Sequence, residues 1–348
     1  MPEDRQIFVA ASELLAAIVR VYQAKGMNEA DARAAADVMV WADMRGMSSH
    51  GVQRLPMFLR ILDSGELDPK AAPTLEERAG AVFVVDGHKS AGPVAMRLAL
   101  DEGEKRAKKF GVAVASMRSA THTGSIGYYA QKAAARGLAA IMINGGPPNM
   151  AYHGAKVLSL ATSPVAMAAP SLDGEIVLDM ATATIANGRL QQALDLGQPI
   201  PLGSALTGDG EPTTDASKAE ILLPLGGPKG SGLSLMVEVL TGILAARPLL
   251  ISMIPGGRAH VHNAMLILLD IAAFRPLEDF KREMSELGQI VKALPRLDPQ
   301  AEIMLPGERG AREYEKRRRE GVPVAAKAFE RLAKTAAALG VEGPRAMK

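Results

Sequence analysis

Apolar side chains in the first 65 residues recur every three to four positions, which is the spacing of amphipathic helices. Glycines at 26, 46 and 65 end these runs, and Asn28 is a typical N-cap residue. Three helices are therefore predicted, at about 12–25, 28–46 and 49–65.

From about residue 75 the pattern changes to short apolar runs that alternate with helical stretches. Strands are predicted at 81–87, 112–119, 138–144, 175–180, 220–224 and 264–270. Helices are predicted at 91–109, 124–136, 185–193, 232–246 and 277–292, with a further amphipathic stretch at 325–339. The run 138–144 is apolar up to Asn144, which is typical of a strand buried on both faces. This part of the chain is predicted to be a mixed α/β body.

The chain has 348 residues, more than one hydrophobic core usually supports. We predict a helical lobe formed by residues 1–75 and about 300–348, and a cofactor-binding α/β body formed by residues 76–299. No internal repeat is present. Packing of the carboxyl-terminal helices onto the first lobe would place a cleft near His50 and the loops of the body.

Composition excludes several classes of function. With 40 basic and 38 acidic residues the chain lacks the charge expected of a nucleic-acid-binding protein. The absence of cysteine excludes disulfides, thiolate metal sites and thiol nucleophiles. The longest apolar stretch, 233–254, is interrupted by Glu238 and Arg247, and is interpreted as a buried helix and its continuation. We expect a cytoplasmic protein with no membrane or nucleic-acid partner.

The cluster Ser48-Ser49-His50-Gly51 and Arg54 is the strongest chemical signal in the chain. It combines an imidazole that can move protons with a guanidinium that can bind a carboxylate. Placed at a helix N-terminus, where backbone N–H groups favour anions, the cluster suits a small carboxylate substrate. The alternative is an ordinary helix start with a serine cap and a solvated arginine.

Two further residues lie at the ends of predicted strands, where α/β proteins often place ligand-binding groups. His122 lies in the loop after the strand 112–119, and its alternative interpretation is a loop histidine bonded to backbone. Asp179 ends an apolar strand and needs a partner, either an imidazole or a helix start that it caps. His260 and His262 have the spacing of a metal pair but no third ligand, so no metal site is predicted.

Glycine-rich loops at 144–146 and 226–232 come after strands, and Lys229 adds a cation to the second loop. Neither loop is a Walker A or dinucleotide fingerprint. A hydrolase that uses Ser49, His50 and Asp179 is disfavoured. Adjacent side chains diverge, and the chain has no Gly-x-Ser-x-Gly elbow.

In their order along the chain, these segments resemble the malate/L-lactate dehydrogenase family of the second type. That family includes sulfolactate and ureidoglycolate dehydrogenases, diketogulonate reductase and piperideine-carboxylate reductase. The resemblance covers nearly the whole chain and is carried by residues 42–46, 49–51, 54, 122–124, 127–130, 144, 162–164, 178–182, 209–210, 213–215, 226–232 and 306–308.

The resemblance implies an α/β fold unrelated to the Rossmann domain, a mixed β-sheet body with a helical lobe. It also implies a homodimer that interconverts small 2-hydroxy and 2-oxo acids with NAD or NADP. Ser49, His50 and Asp179 match a proton relay. His122 matches the residue that accepts the proton directly in other members. Arg54 matches the residue that binds the substrate carboxylate. Matching cofactor positions are His122, Thr123, Gly124, Ser125, Ile126, Asn144, Thr162, Ser163, Pro164, Asp179, Met180, Ala181, Lys229, Gly307 and Glu308.

Three positions depart from the family pattern. Ser163 stands where asparagine is frequent, Pro228 where an aromatic residue is, and Phe58 where tyrosine is usual. The first two touch the expected cofactor loops, so the choice between NAD and NADP is open. Alternative functions are reduction of a cyclic imino acid, oxidation of ureidoglycolate, and a binding protein without turnover.

Overall fold

A computed structural model describes residues 6–246 and 262–347. The strands are β1 Gln6–Val9, β2 Thr74–Ala79, β3 Val82–Asp86, β4 Val112–Ala120, β5 Leu138–Gly145, β6 Met150–Ala151, β7 Leu158–Leu160, β8 Val165–Ser171, β9 Gly174–Met180, β10 Ala205–Leu206, β11 Pro212–Thr213, β12 Ile221–Leu222, β13 His262–Asp270 and β14 Val322–Ala325. The α-helices are α1 Ala11–Ala24, α2 Glu29–Met44, α3 Leu55–Asp63, α4 Gly92–Phe110, α5 Gly127–Ala135, α6 Asn187–Leu196, α7 Pro228–Glu238, α8 Leu277–Lys292, α9 Glu308–Glu320 and α10 Ala326–Ala338.

A seven-stranded mixed sheet forms the centre of the molecule, in the order β2-β3-β4-β13-β5-β8-β9. Only the pair β3–β4 is parallel. Helices α4 and α5 pack on the sheet and bury Met96 and Tyr129 in a cluster with Phe83, Met117 and Leu266. The predicted strands at 112–119, 138–144, 175–180 and 264–270 are confirmed. Along β5 buried residues alternate with half-buried ones, so the expectation of full burial on both faces holds for one face only.

The amino-terminal helices share a hydrophobic cluster with the carboxyl-terminal segment. Strand β1 pairs antiparallel with β14, with Val9 opposite Val322. Leu14 of α1 and Leu332 of α10 belong to the same buried cluster. The amino-terminal and carboxyl-terminal segments thus pack together, as a helical lobe built from both would require. The division into two domains stays a prediction.

A second sheet, in the order β11-β10-β12-β6-β7, was missed by the sequence interpretation apart from the strand 220–224. That strand is shorter than predicted, Ile221–Leu222, and lies in this small sheet rather than in the main one. Strands of two or three residues are too short to show a period of two. Strands β1, β2, β8 and β14 were missed as well.

Three predicted helices differ from the structure. The helix expected from Ser49 begins at Leu55, because residues 48–54 form two short 3-10 turns. The helix expected from Gly124 begins at Gly127. The helix expected at 232–246 starts at Pro228 and changes into a π-helical turn at Val239–Ile243.

Helix α7 and its π-helical turn are also less buried than expected. Leu233, Met236, Ile243 and Leu244 are exposed, so the interpretation of this stretch as a buried helix is wrong for one of its faces. Among the residues that the structure describes, no helix has the length and apolarity needed to cross a membrane.

Candidate active site

Residues 48–54 form two consecutive 3-10 turns that present His50 and Arg54. The His50 N–H donates to the Met47 carbonyl oxygen at 2.9 Å, and the Arg54 N–H donates to the Gly51 carbonyl oxygen at 2.9 Å. Because α3 begins only at Leu55, His50 does not lie at an α-helix N-terminus. The expected contribution of a helix dipole to anion binding at His50 is therefore wrong.

Ser49 and His50 contact each other, which the sequence argument denied. Ser49 Oγ lies 3.1 Å from His50 Nδ1. Neighbouring side chains diverge on an α-helix, but Nδ1 is the ring nitrogen nearer the backbone, and the 3-10 turn lets the serine hydroxyl reach it. A hydrolase triad is still not formed, because no hydrogen bond joins Asp179 to either of the imidazoles of His50 and His122.

The guanidinium of Arg54 is half-buried and carries an unbalanced charge. Its Nε donates to the Ser49 carbonyl oxygen at 2.7 Å, and one terminal nitrogen lies 4.0 Å from Met57 Sδ. Within the described ranges, no carboxylate forms an ion pair with it. A half-buried cation without a counter-ion favours binding of an anion.

His122 lies beside His50. The two ring centroids are 5.9 Å apart, and the ring of Phe58 packs edge-on against His122 at 5.8 Å. The Gly124 N–H donates to His122 Nδ1 at 3.0 Å. Since Nδ1 acts as the acceptor, the neutral ring carries its proton on Nε2.

A third histidine, His262, lies in this cluster and was missed from the sequence. Its ring packs edge-on against His122 with centroids 5.1 Å apart. A Cβ atom at Gly146 would lie 2.8 Å from the His262 ring, so glycine is needed there. The only sequence signal was this glycine-rich turn. His260, the other half of the considered metal pair, lies outside the described residues.

Burial and like charge keep the imidazoles of His50 and His122 neutral. Burial, with a smaller effect of the Arg54 charge, lowers the pKa of His50 to about 4. The pKa of His122 also lies well below its usual value, mainly through burial and further through His262, His50 and Arg54. Both rings are therefore uncharged at neutral pH in the free protein.

Asp179 ends β9 but does not pair with an imidazole, so that expectation is wrong. Its Oδ2 accepts from the Ser125 hydroxyl at 2.5 Å and from the Gly127 N–H at 3.0 Å. The alternative interpretation, an acceptor at a helix start, is the one that the structure has, because Gly127 opens α5. Asp179 thereby fixes the end of the loop that carries His122.

Several of the predicted cofactor segments converge at the ends of β5 and β9. The Asn144 N–H donates to the Pro164 carbonyl oxygen at 3.1 Å, and the Thr182 N–H donates to the Thr162 carbonyl oxygen at 2.8 Å. Ser163, with a left-handed φ of 25°, contacts Ser234 of α7 through their hydroxyls at 3.0 Å. Asparagine, frequent here in the family, tolerates this conformation better than serine does.

The residues at this junction fit a nicotinamide cofactor. Asn144 Oδ1 and Thr182 Oγ1 are buried and have no hydrogen-bond partner among the described residues. A carboxamide offers the N–H donors that such oxygens need. Lys229, in the first turn of α7, is exposed and forms no ion pair within the described part of the chain, which suits a phosphate group. Thr182 is a candidate that the sequence analysis did not assign.

The other predicted cofactor residues have different surroundings. The side chains of Thr123 and Ile126 are fully buried, whereas Met180 and Ala181 are half-buried beside Thr182. The Gly307 carbonyl oxygen accepts from Arg45 at 2.8 Å. Glu308 forms an ion pair with Lys292 at 2.6 Å and accepts from the Leu305 N–H at 3.0 Å. These contacts lower the pKa of Glu308 to about 2 and leave its carboxylate engaged within the protein.

Comparison with known proteins identifies the family of the chain. The profile of the malate/L-lactate dehydrogenase family matches residues 9–333. A malate dehydrogenase of Pyrococcus horikoshii is 36% identical over 98% of each chain, and an L-sulfolactate dehydrogenase of Methanocaldococcus jannaschii is 36% identical over 86% of this chain and 88% of its own. A solved malate dehydrogenase structure from Pyrococcus horikoshii has a TM-score of 0.88 at 32% identity and covers 97% of both chains.

The family match and the named relatives identify an oxidoreductase that acts on 2-hydroxy acids. The chain belongs to the malate/L-lactate dehydrogenase family. The predicted fold class is confirmed, and the family implies a nicotinamide cofactor. A further relative is a Δ1-pyrroline-2-carboxylate/Δ1-piperideine-2-carboxylate reductase of Pseudomonas putida, 32% identical over 91% of this chain and 93% of its own.

Proposed function

We propose that the protein interconverts a small 2-hydroxy acid and its 2-oxo acid, with Arg54 as the group that binds the substrate carboxylate. The observation that carries this proposal is the half-buried guanidinium of Arg54, which has no carboxylate partner among the described residues and lies beside neutral imidazoles. Two terminal N–H groups match the two oxygens of a carboxylate.

Binding of an anion at Arg54 also prepares proton transfer. The Arg54 charge lowers the pKa of both His50 and His122. A bound carboxylate offsets that charge, so the pKa of each ring rises toward its ordinary value. Substrate binding and protonation of an imidazole are thus coupled through one guanidinium.

We propose different roles for the two rings, on the basis of their hydrogen bonds. Protonating His122 on Nδ1 would set its new N–H against the Gly124 N–H, so His122 stays neutral and donates from Nε2 to the substrate oxygen. His50 faces the Ser49 hydroxyl, which can donate or accept, so His50 can change its protonation state. We assign proton transfer to His50, with Ser49 as its partner, while Asp179 positions the His122 loop.

Asn144 and Thr182 are the proposed partners of the nicotinamide carboxamide, and Lys229 is the proposed partner of a cofactor phosphate. When bound, NAD or NADP accepts a hydride from the substrate C2 or supplies one to it. The hydroxyl proton then goes to His50 during oxidation and returns from it during reduction. Hydride and proton together account for the two hydrogens that distinguish the alcohol from the ketone.

We also propose a homodimer, with the exposed face of α7 as its interface. This face shows Leu233 and Met236, and the following turn shows Ile243 and Leu244. An exposed apolar face on a helix is typical of an interface between subunits. Because α7 also carries Lys229, such a dimer would bring the partner close to the proposed cofactor site.

A substrate panel tests the proposed activity. The protein is expected to oxidise reduced nicotinamide when given 2-oxo acids, among them the ketones of malate, lactate and sulfolactate, with NADH and NADPH assayed in parallel. Cyclic imino acids are included, because a relative is named as a reductase of such acids. Turnover of imino acids alone would favour imine reduction, and no turnover of either class would contradict the proposal.

Arg54→Lys tests the substrate contact. We expect KM for the 2-oxo acid to rise about tenfold or more, because an ammonium group cannot replace a bidentate, charge-assisted pair. Steady-state kinetics measure this effect. Arg60→Lys, on the exposed side of α3, is the matched control and should leave KM unchanged. An unchanged KM in Arg54→Lys would remove Arg54 from this role.

Ile243→Glu combined with Leu244→Glu tests the interface. Charges on an apolar interface disfavour association, so light scattering should show a dimer for the unmodified protein and a monomer for the variant. Leu297→Glu, at an exposed position elsewhere, is the control and should remain dimeric. A monomeric unmodified protein, or a dimeric variant, would disprove this interface.

A further inference from the structure

The turn of residues 48–54 is attached to α2 by a buried carboxyl group, that of Asp43. Asp43 lies in the last turn of α2, and only 4% of its surface is exposed. Its Oδ2 accepts from the Val52 N–H at 2.8 Å. Val52 opens the second 3-10 turn, midway between His50 and Arg54.

The carboxyl group of Asp43 also packs tightly against Gly51. A Cβ atom at Gly51 would lie 1.8 Å from Asp43 Oδ1, so only glycine admits this carboxyl group. The backbone between His50 and Arg54 thus rests directly on Asp43. The Gly51 of the Ser-His-Gly motif has a structural explanation here, because it is the residue that Asp43 contacts.

Among the described residues, no basic side chain forms an ion pair with the carboxylate of Asp43. Arg317 of α9 donates to the Asp43 main-chain oxygen, at 2.6 Å, and pairs with Glu313 on its own helix. Burial raises the pKa of Asp43 to about 7, so ionising this group costs stability. An apolar residue would fill the space at less cost, which indicates that the carboxyl group is present for its hydrogen bond.

We propose that Asp43 is a positioning residue, which holds the turn of residues 48–54 through the Val52 N–H and so fixes His50 and Arg54 relative to each other. The inference rests on the proposed function only in that these two residues act on the substrate. It adds a residue from α2 that touches neither substrate nor cofactor. Loss of the acceptor should disturb both side chains together.

Asp43→Ala and Asp43→Asn separate this role from general stability. Asparagine keeps an acceptor for the Val52 N–H, so we expect kcat/KM within about fivefold of the unmodified protein, the difference between a charged and a neutral acceptor. Alanine removes the acceptor, so we expect kcat to fall and KM to rise together, with kcat/KM lower by about a hundredfold. Asp37→Ala is the matched control, because Asp37 is a half-buried carboxyl group of α2 outside this contact.

Hydrogen exchange of residues 48–55, measured by mass spectrometry, supplies a readout independent of catalysis. Exchange should be faster in Asp43→Ala and unchanged in Asp43→Asn and Asp37→Ala. If Asp43→Ala does not fold, Asp43→Ser replaces it, since a serine hydroxyl bonds a carbonyl of its own helix instead.

Three outcomes decide the inference. Slower turnover of Asp43→Ala with an unchanged KM would overturn it, because a purely structural loss lowers only the amount of active protein. Unchanged hydrogen exchange of the turn in Asp43→Ala would overturn it as well. An equal loss of kcat/KM in Asp43→Asn and Asp43→Ala would overturn it too. If the unmodified protein turns over no substrate, the proposed function fails, and the exchange measurement alone decides whether Asp43 holds the turn.

Discussion

The unbalanced charge of Arg54 is the constraint on which the site depends. It is half-buried, it is held by the Ser49 carbonyl oxygen, and no carboxylate in the described part of the chain pairs with it. The same charge helps to keep His50 and His122 neutral. Burial is the larger cause of the lowered pKa values, and the Arg54 charge adds to it. In the proposed function the same cation binds the anionic substrate, and that binding offsets its effect on the imidazoles.

The geometry of the site comes from two parts of the molecule, the helical segments and the central sheet. The helical segments supply the turn with His50 and Arg54, which Asp43 joins to α2. The central sheet supplies the loop with His122, whose end is bonded to Asp179 of β9. Each chemical group is thus supported by a hydrogen bond from a regular element, and loops alone do not determine its place.

The sequence predicted the long, periodic elements well and the irregular ones poorly. Strands β4, β5, β9 and β13 were found because their apolar runs are long, whereas the short strands of the second sheet carry no period. The serines at 48 and 49 look like a helix cap, but residues 48–54 form 3-10 turns and bond Asp43 of α2 through the Val52 N–H. Composition could not tell that α7 exposes Leu233 and Met236, since it does not distinguish buried from exposed apolar residues.

Residue type and loop position were enough to select His50, Arg54 and His122, but not their partners. Asp179 was expected beside an imidazole and binds Ser125 and Gly127 instead. His262 reaches His122 because β13 inserts between β4 and β5, a pairing between distant parts of the chain. Such contacts depend on tertiary structure and leave no local pattern.

The most direct test of the Arg54 charge is an NMR titration of the His50 ring, assigned with His50→Gln. The account predicts a pKa well below the ordinary value of histidine in the free protein, and a higher pKa in Arg54→Met, where the neighbouring positive charge is gone. An ordinary His50 pKa that does not respond to Arg54→Met would contradict it.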